Sequence, residues 1–243
     1  MKQKVIFFVG PEKTGTTTIF DSLPFRYPPR QKEHFNLSRR KDFGAELKRI
    51  STQLRLEPVA YIVEPTYFTS EFARTSIASL TGTYDIHVVH CQREPLARSV
   101  SHYLHHKSKG RVRSVPKAVK LYPEILEGSF YDIHCTKWAE LVPNFHVVNI
   151  DEPNAIDSVF LDLGIKKRKN AKSKSNVRLA PRSLSIAASA STLWGVFIRC
   201  RLNRFVPNWL KKEVKSVVYY GGNTVSISEL EKEQLRKYLA TMR

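Results

Sequence analysis

A short apolar run, Lys4-Val-Ile-Phe-Phe-Val9, leads straight into Gly10-Pro-Glu-Lys13-Thr14-Gly15-Thr16-Thr17-Thr18. A continuous apolar run that ends at a glycine reads as a buried parallel strand feeding a loop. Thr16 to Leu23 reads as a short helix, stopped by Pro24. Glycines let a backbone curl closely around an anion, and the free N–H groups of a helix start point at it. Lys13 adds a point charge and the threonines add hydroxyl donors, so the loop has the chemistry of a phosphate cradle. It departs from the GxxxxGK[ST] pattern, because Thr16 stands where that pattern has lysine. The departure weighs against a magnesium–triphosphate enzyme. The plain alternative is a glycine turn before a helix that binds nothing.

The remainder of the chain repeats the alternation. Helical spacing over about 41–55 (Phe43, Leu47, Ile50, Leu54) follows a proline-rich stretch from Pro24 to Arg30. Strands are expected at Val59 to Val63, Asp85 to Cys91 and Phe145 to Ile150. Helices are expected around 70–80, from Pro95 to His106 with proline in the first turn, and from Tyr131 to Leu141. Strands alternating with helices imply an α/β fold with a central parallel sheet flanked by helices. One domain over 1–243 is expected, with a nucleotide-binding core over 1–165. A basic loop and a helical section follow over 166–243.

A second anion site is legible after the third strand, in Cys91-Gln-Arg93-Glu-Pro95-Leu-Ala-Arg98-Ser-Val-Ser101-His-Tyr103. Arg93 stands at the carboxyl end of a strand, where open α/β sheets bind ligands. Ser101 falls two turns further on. Arginine and a hydroxyl together suit a phosphate monoester. Arg98 and the histidines from His102 to His106 read as an exposed helix face rather than a site, the histidines being solvated or structural.

These two segments, in this order, resemble the PAPS-dependent sulfotransferases, where PAPS is 3′-phosphoadenosine-5′-phosphosulfate. The likeness is a Lys-Thr-Gly-Thr-Thr loop after the first strand, then Arg-x-Pro-x-x-Arg-x-x-Ser-x-Tyr after a later one. Further segments resemble the heparan-sulfate branch and its bacterial relatives: Lys32-Glu33-His34-Phe35, Glu64-Pro65-Thr66-Tyr67-Phe68, and Gly128-Ser-Phe-Tyr131 followed by Trp138 and Pro143. The first two are shorter than the family's pattern, and both belong to the acceptor side. The resemblance covers roughly residues 4–180 and implies a P-loop-type fold with PAPS as co-substrate and no metal. It assigns the 5′-phosphosulfate to Lys13, Thr14, Gly15, Thr16, Thr17 and Thr18, with Lys13 on the bridging oxygen. The 3′-phosphate falls to Arg93 and Ser101. Glu33 is the first choice of general base and His34 the second, while Glu64 contacts substrate or organises the base. Asn176 and Arg178 are assigned near the nucleotide, in the basic tract that begins at Lys166.

A formal charge of +18 calls for an anionic partner. PAPS and an acidic acceptor answer that need, the acceptor being a carbohydrate or glycolipid hydroxyl. A nucleic-acid-binding module is suggested only by the charge, and no reading helix, aromatic sheet motif or zinc spacing accompanies it. Three widely separated cysteines form neither a disulfide framework nor a ligand set. No run approaches the roughly 20 apolar residues of a membrane span, so a cytoplasmic enzyme is expected. Leu193 to Lys212 mixes large apolar residues with a basic fringe, a pattern for peripheral contact with an anionic membrane, for an acceptor lid or for ordinary core packing. The rival enzyme class is a P-loop phosphotransferase dependent on ATP and magnesium.

Overall fold

A computed structural model of the chain describes residues 2–24, 59–63, 67–168 and 225–242. The predicted helix over 41–55, the proline-rich segment, Glu33, His34, Glu64, Asn176, Arg178 and the stretch from Leu193 to Lys212 lie outside the described residues.

Chain order runs β1 (Lys4–Val9), α1 (Thr16–Ser22), β2 (Val59–Val63), α2 (Glu71–Ala78), β3 (Asp85–Gln92), α3 (Pro95–Ser108), α4 (Val115–Leu121), α5 (Glu124–Glu127), α6 (Asp132–Leu141), β4 (Asn144–Asn149), α7 (Ala155–Asp162) and α8 (Glu229–Thr241). All strand pairs are parallel, in the order β2-β1-β3-β4. The expected α/β fold, a parallel sheet flanked by helices with a helix near the C-terminus, is therefore present. The chain divides into two compact units: Met1–Arg98 with Gly128–Lys174, and Ser99–Glu127 with Ser175–Arg243.

In the first unit, strand pleating sorts the β1 side chains onto two faces. Val5, Phe7 and Val9 join Ile62, Val88, Phe68, Ile77, Trp138 and Val142 in one apolar cluster, which α2 and α6 cover. Ile6 and Phe8 join Ile19, Leu23, Val89, Val148, Val159, Phe160 and Leu163 in the other, which α1 and α7 cover. Burial on both faces is why β1 reads as an unbroken apolar run rather than an alternating one. Each fully buried Phe or Leu contributes about 1.5–3 kcal/mol in transfer terms. Trp138 also donates its indole N–H to the Phe68 carbonyl at 3.1 Å, so its polar atom is satisfied inside the core. Ser70 caps α2 by accepting from the Ala73 N–H.

In the second unit, α8 opens with a full capping box between Ser228 and Glu231. Glu231 then takes the Lys107 ammonium at 2.8 Å and the Tyr103 hydroxyl at 2.5 Å, both from α3. No helix among the described residues is long and apolar enough to cross a membrane.

Candidate functional site

Strand order decides where a ligand would enter the first unit. The chain passes from β1 to β2 on one side, then returns to place β3 on the other. That reversal leaves a crevice at the carboxyl ends of β1 and β3, where open α/β sheets hold their ligands. Both sequence motifs sit there: the glycine loop follows Val9, and Arg93 follows Gln92. Val9 itself pairs with His90.

The loop is shaped by close backbone approach. A Cβ on Gly10 would stand 2.5 Å from the Cys91 carbonyl oxygen, so only glycine lets the loop leave β1 beside β3. Gly15 has φ 76°, and a Cβ there would meet Ile150 at 2.9 Å. Lys13 is also left-handed, with φ 78°, a strained conformation for a residue bearing a side chain. Left-handed residues at 13 and 15 flank Thr14, whose own φ is not positive. Such alternation turns successive N–H groups toward one side and makes an anion-binding concavity. The Thr14 side chain is buried and its hydroxyl donates to the Pro11 carbonyl at 2.8 Å, so it braces the loop from within. Thr16 is buried at the start of α1, while Thr17 and Thr18 are exposed.

Arg93 is held by Asp151, just past β4: its Nε donates to the carboxylate at 2.9 Å. The same carboxylate accepts from the Glu94 N–H at 2.8 Å. Among the described residues the two terminal nitrogens of Arg93 have no further partner, and the side chain remains 33% exposed. The Arg93 carbonyl accepts from the Tyr131 hydroxyl at 3.0 Å. Burial is the main reason that phenol is pushed up to about 12, and it stays protonated as a donor. Glu94 caps α3, its carboxylate accepting from the Leu96 and Ala97 N–H groups. The motif's Arg-Glu-Pro is thus a strand end, a cap and a first-turn proline.

Arg98 corrects the sequence reading. It is not on an exposed face but fully buried. Its Nε donates to the Ser129 hydroxyl at 2.7 Å and its Nη1 to the Glu12 carbonyl at 3.0 Å. It therefore ties the glycine loop to the segment Gly128–Ser129. Ser129 in turn donates to the Pro95 carbonyl. Gly128 leaves room for this: a Cβ would lie 2.7 Å from Arg98 Nη1 and 2.9 Å from the Pro11 Cβ. Of the two readings of the helix histidines, solvated or structural, His102 and His106 fit the structural one, since both are buried.

The structure thus brings Lys13, Thr14, Gly15, Thr16, Thr17, Thr18 and Arg93 to one end of one sheet. Ser101 lies on α3, half-buried, in the second unit. Asp151 and the brace made by Arg98 went unread in the sequence. The one available signal for Asp151 was its position at the carboxyl end of a predicted strand. Arg98 carried one as the second arginine of the Arg-x-Pro-x-x-Arg motif, but nothing in the spacing said that it is buried, since a buried cation is rare in any sequence.

No family model matches the chain, and a search of curated proteins found no match. Among solved structures, a sulfotransferase from Alicyclobacillus acidocaldarius superposes with a TM-score of 0.53 at 15% sequence identity, covering 72% of this chain and 88% of that one. At that identity the likeness is one of fold: the chain has the parallel-sheet α/β architecture of that bacterial sulfotransferase.

Proposed function

We propose that this chain is a sulfotransferase that moves a sulfuryl group from PAPS to a hydroxyl of a carbohydrate or glycolipid acceptor. The observation that carries the reading is that the glycine loop and Arg93 flank the β1/β3 reversal of the sheet, on a fold like that of a bacterial sulfotransferase. In this reading the concave backbone at Lys13–Gly15, with Thr16, Thr17 and Thr18, holds the 5′-phosphosulfate. The free end of the Arg93 guanidinium takes the 3′-phosphate, and Asp151 fixes the plane in which it points. Ser101 supplies a second donor to that phosphate.

Transfer is an in-line displacement: the acceptor oxygen forms its bond to sulfur as the bond to the bridging oxygen breaks, and negative charge collects on the leaving phosphate. Lys13, presented by a strained backbone, stabilises that charge. A neutral hydroxyl is a poor nucleophile, so Glu33 takes its proton, with His34 as the alternative base. Glu64 orders the acceptor side, and Asn176 and Arg178 approach the nucleotide. The scheme needs no metal. The net charge of +18 suits an acidic acceptor and contact with an anionic membrane surface, and the lack of a nucleic-acid reading motif in the sequence weighs against nucleic acid.

Calorimetric titration tests the donor site. Adenosine 3′,5′-bisphosphate should bind without metal, and AMP, which lacks the 3′-phosphate, should bind far more weakly. Arg93→Ala should cost about 10- to 100-fold in affinity for the bisphosphate and little for AMP. ATP binding that is tighter and requires magnesium would overturn the reading in favour of a phosphotransferase.

A further inference from the structure

The second unit holds a cluster of ligand-bearing side chains that the transfer scheme does not use. His102 and His106 lie one turn apart on α3 and so share a face. They are 2% and 4% exposed. The His106 ring lies against Tyr122, with centroids 3.9 Å apart. The two Nε2 atoms are 3.3 Å apart. Glu124, the first residue of α5 and exposed, brings a carboxylate oxygen to the same place. One ligand atom from each of the three lies within 4.8 Å of the others.

We propose that His102, His106 and Glu124 form a binding site for a divalent transition-metal ion, and that the ion is zinc. Zinc takes imidazole nitrogen at about 2.0–2.1 Å, and two such bonds at a tetrahedral angle hold their nitrogens about 3.3–3.4 Å apart. The imidazoles therefore already stand at ligand spacing, locked by burial and by Tyr122. Glu124 already brings a carboxylate oxygen within 4.8 Å of the ligand nitrogens of both histidines, so the third ligand stands beside the pair. Two imidazoles and one carboxylate suit zinc, whereas calcium and magnesium require mostly oxygen. A fourth position is left for water. A plain hydrogen bond between the two rings would also give the 3.3 Å separation, and the Glu124→Gln comparison below separates the two readings. The ion would pin α3 to α5 one residue beyond Ser101. It takes no step in sulfuryl transfer.

The test uses the untagged full-length protein, freed of metal by chelator and titrated with zinc against a chromophoric competitor. One zinc per chain with micromolar or tighter affinity is expected, together with a rise of several degrees in Tm. Cobalt(II) in its place should give the visible absorption of a tetrahedral ion. Glu124→Gln, on the surface, should weaken zinc at least about tenfold, and His106→Gln should remove it. His146→Gln, which alters the other close histidine pair at His87, should change nothing. Failure to bind one equivalent would overturn the site. So would an affinity indifferent to Glu124→Gln, or one lost in His146→Gln. Should His106→Gln fail to fold, the Glu124→Gln comparison decides alone.

Discussion

Arg98 directs its guanidinium at the protein itself, at the Glu12 carbonyl in the glycine loop and at the Ser129 hydroxyl. A buried cation persists only where such bonds replace water. Arg98→Met keeps the stem and removes the donors, leaving a buried carbonyl and a hydroxyl under-satisfied. The expected cost is about 2–4 kcal/mol in urea denaturation, with weaker binding at the proposed nucleotide site because the loop loses its brace. Gly128→Ala tests the same brace from the other side. Its methyl would stand 2.7 Å from Arg98 Nη1, so the guanidinium must shift. Affinity for adenosine 3′,5′-bisphosphate should fall about tenfold or more while the fold survives, since a few tenths of an ångström at a backbone cradle matter more to a ligand than to a core. Unchanged affinity in both variants would mean that the loop holds its shape unaided. Lys13 belongs at this scale as well. Its charge was legible from spacing, but its left-handed backbone was not, because only glycine advertises that conformation in a sequence.

Among the elements, β3 combines the strand end that presents Arg93 with a buried histidine in its middle. His90 is fully buried, stacked on Phe68 at 3.9 Å and 6°, and neither ring nitrogen has a hydrogen-bond partner among the described residues. Burial, helped by His134, pushes its pKa down to about 3 from the ordinary 6.5. In α8, burial alone would raise Glu231, but the Lys107 ammonium, the Ser228 N–H and the Tyr103 hydroxyl together bring it down to about 2 from 4.5. Both folded values lie below their unfolded ones, so in each case the unfolded chain takes up protons first on acidification. The stability these groups confer is present above the unfolded value and is lost as pH falls toward the folded one. Their windows are about 6.5 to 3 for His90 and about 4.5 to 2 for Glu231. His90→Phe keeps a flat ring against Phe68 and removes a proton acceptor. Its denaturation midpoint should fall less than that of the parent between pH 6.5 and 4.5, above the Glu231 window. Parallel pH profiles for the two proteins would show that His90 is not what titrates.

At the scale of the molecule, the strands and helices α1, α2, α3 and α6 were legible, β1 most plainly because burial on both sheet faces leaves Val5 to Val9 an unbroken apolar run. Helices α4, α5 and α7 were not read. α4 and α5 are seven and four residues long, too short for a 3.6-residue period to declare itself. The glycine loop and the position of Arg93 were legible from glycine spacing and from a strand end. Asp151 and Arg98 were not, because their partners lie 58 and 86 residues away along the chain. Charge is the property that needs no fold to be read, and at +18 it bears on how an acceptor arrives. A cation of that size attracts anionic glycans over a Debye length of about 10 Å at 0.1 M salt and only about 3 Å at 1 M. With an acidic oligosaccharide, kcat/KM for sulfuryl transfer should therefore fall steeply as salt rises, while kcat at saturating acceptor changes little, because screening slows encounter rather than chemistry. A neutral oligosaccharide of equal length should show a shallow response, set by the nucleotide's own phosphates. Equal slopes for the two acceptors would mean that the charge serves the donor or a membrane surface. A steeper slope for the acidic one would make the acceptor itself the anion that this composition is built to meet.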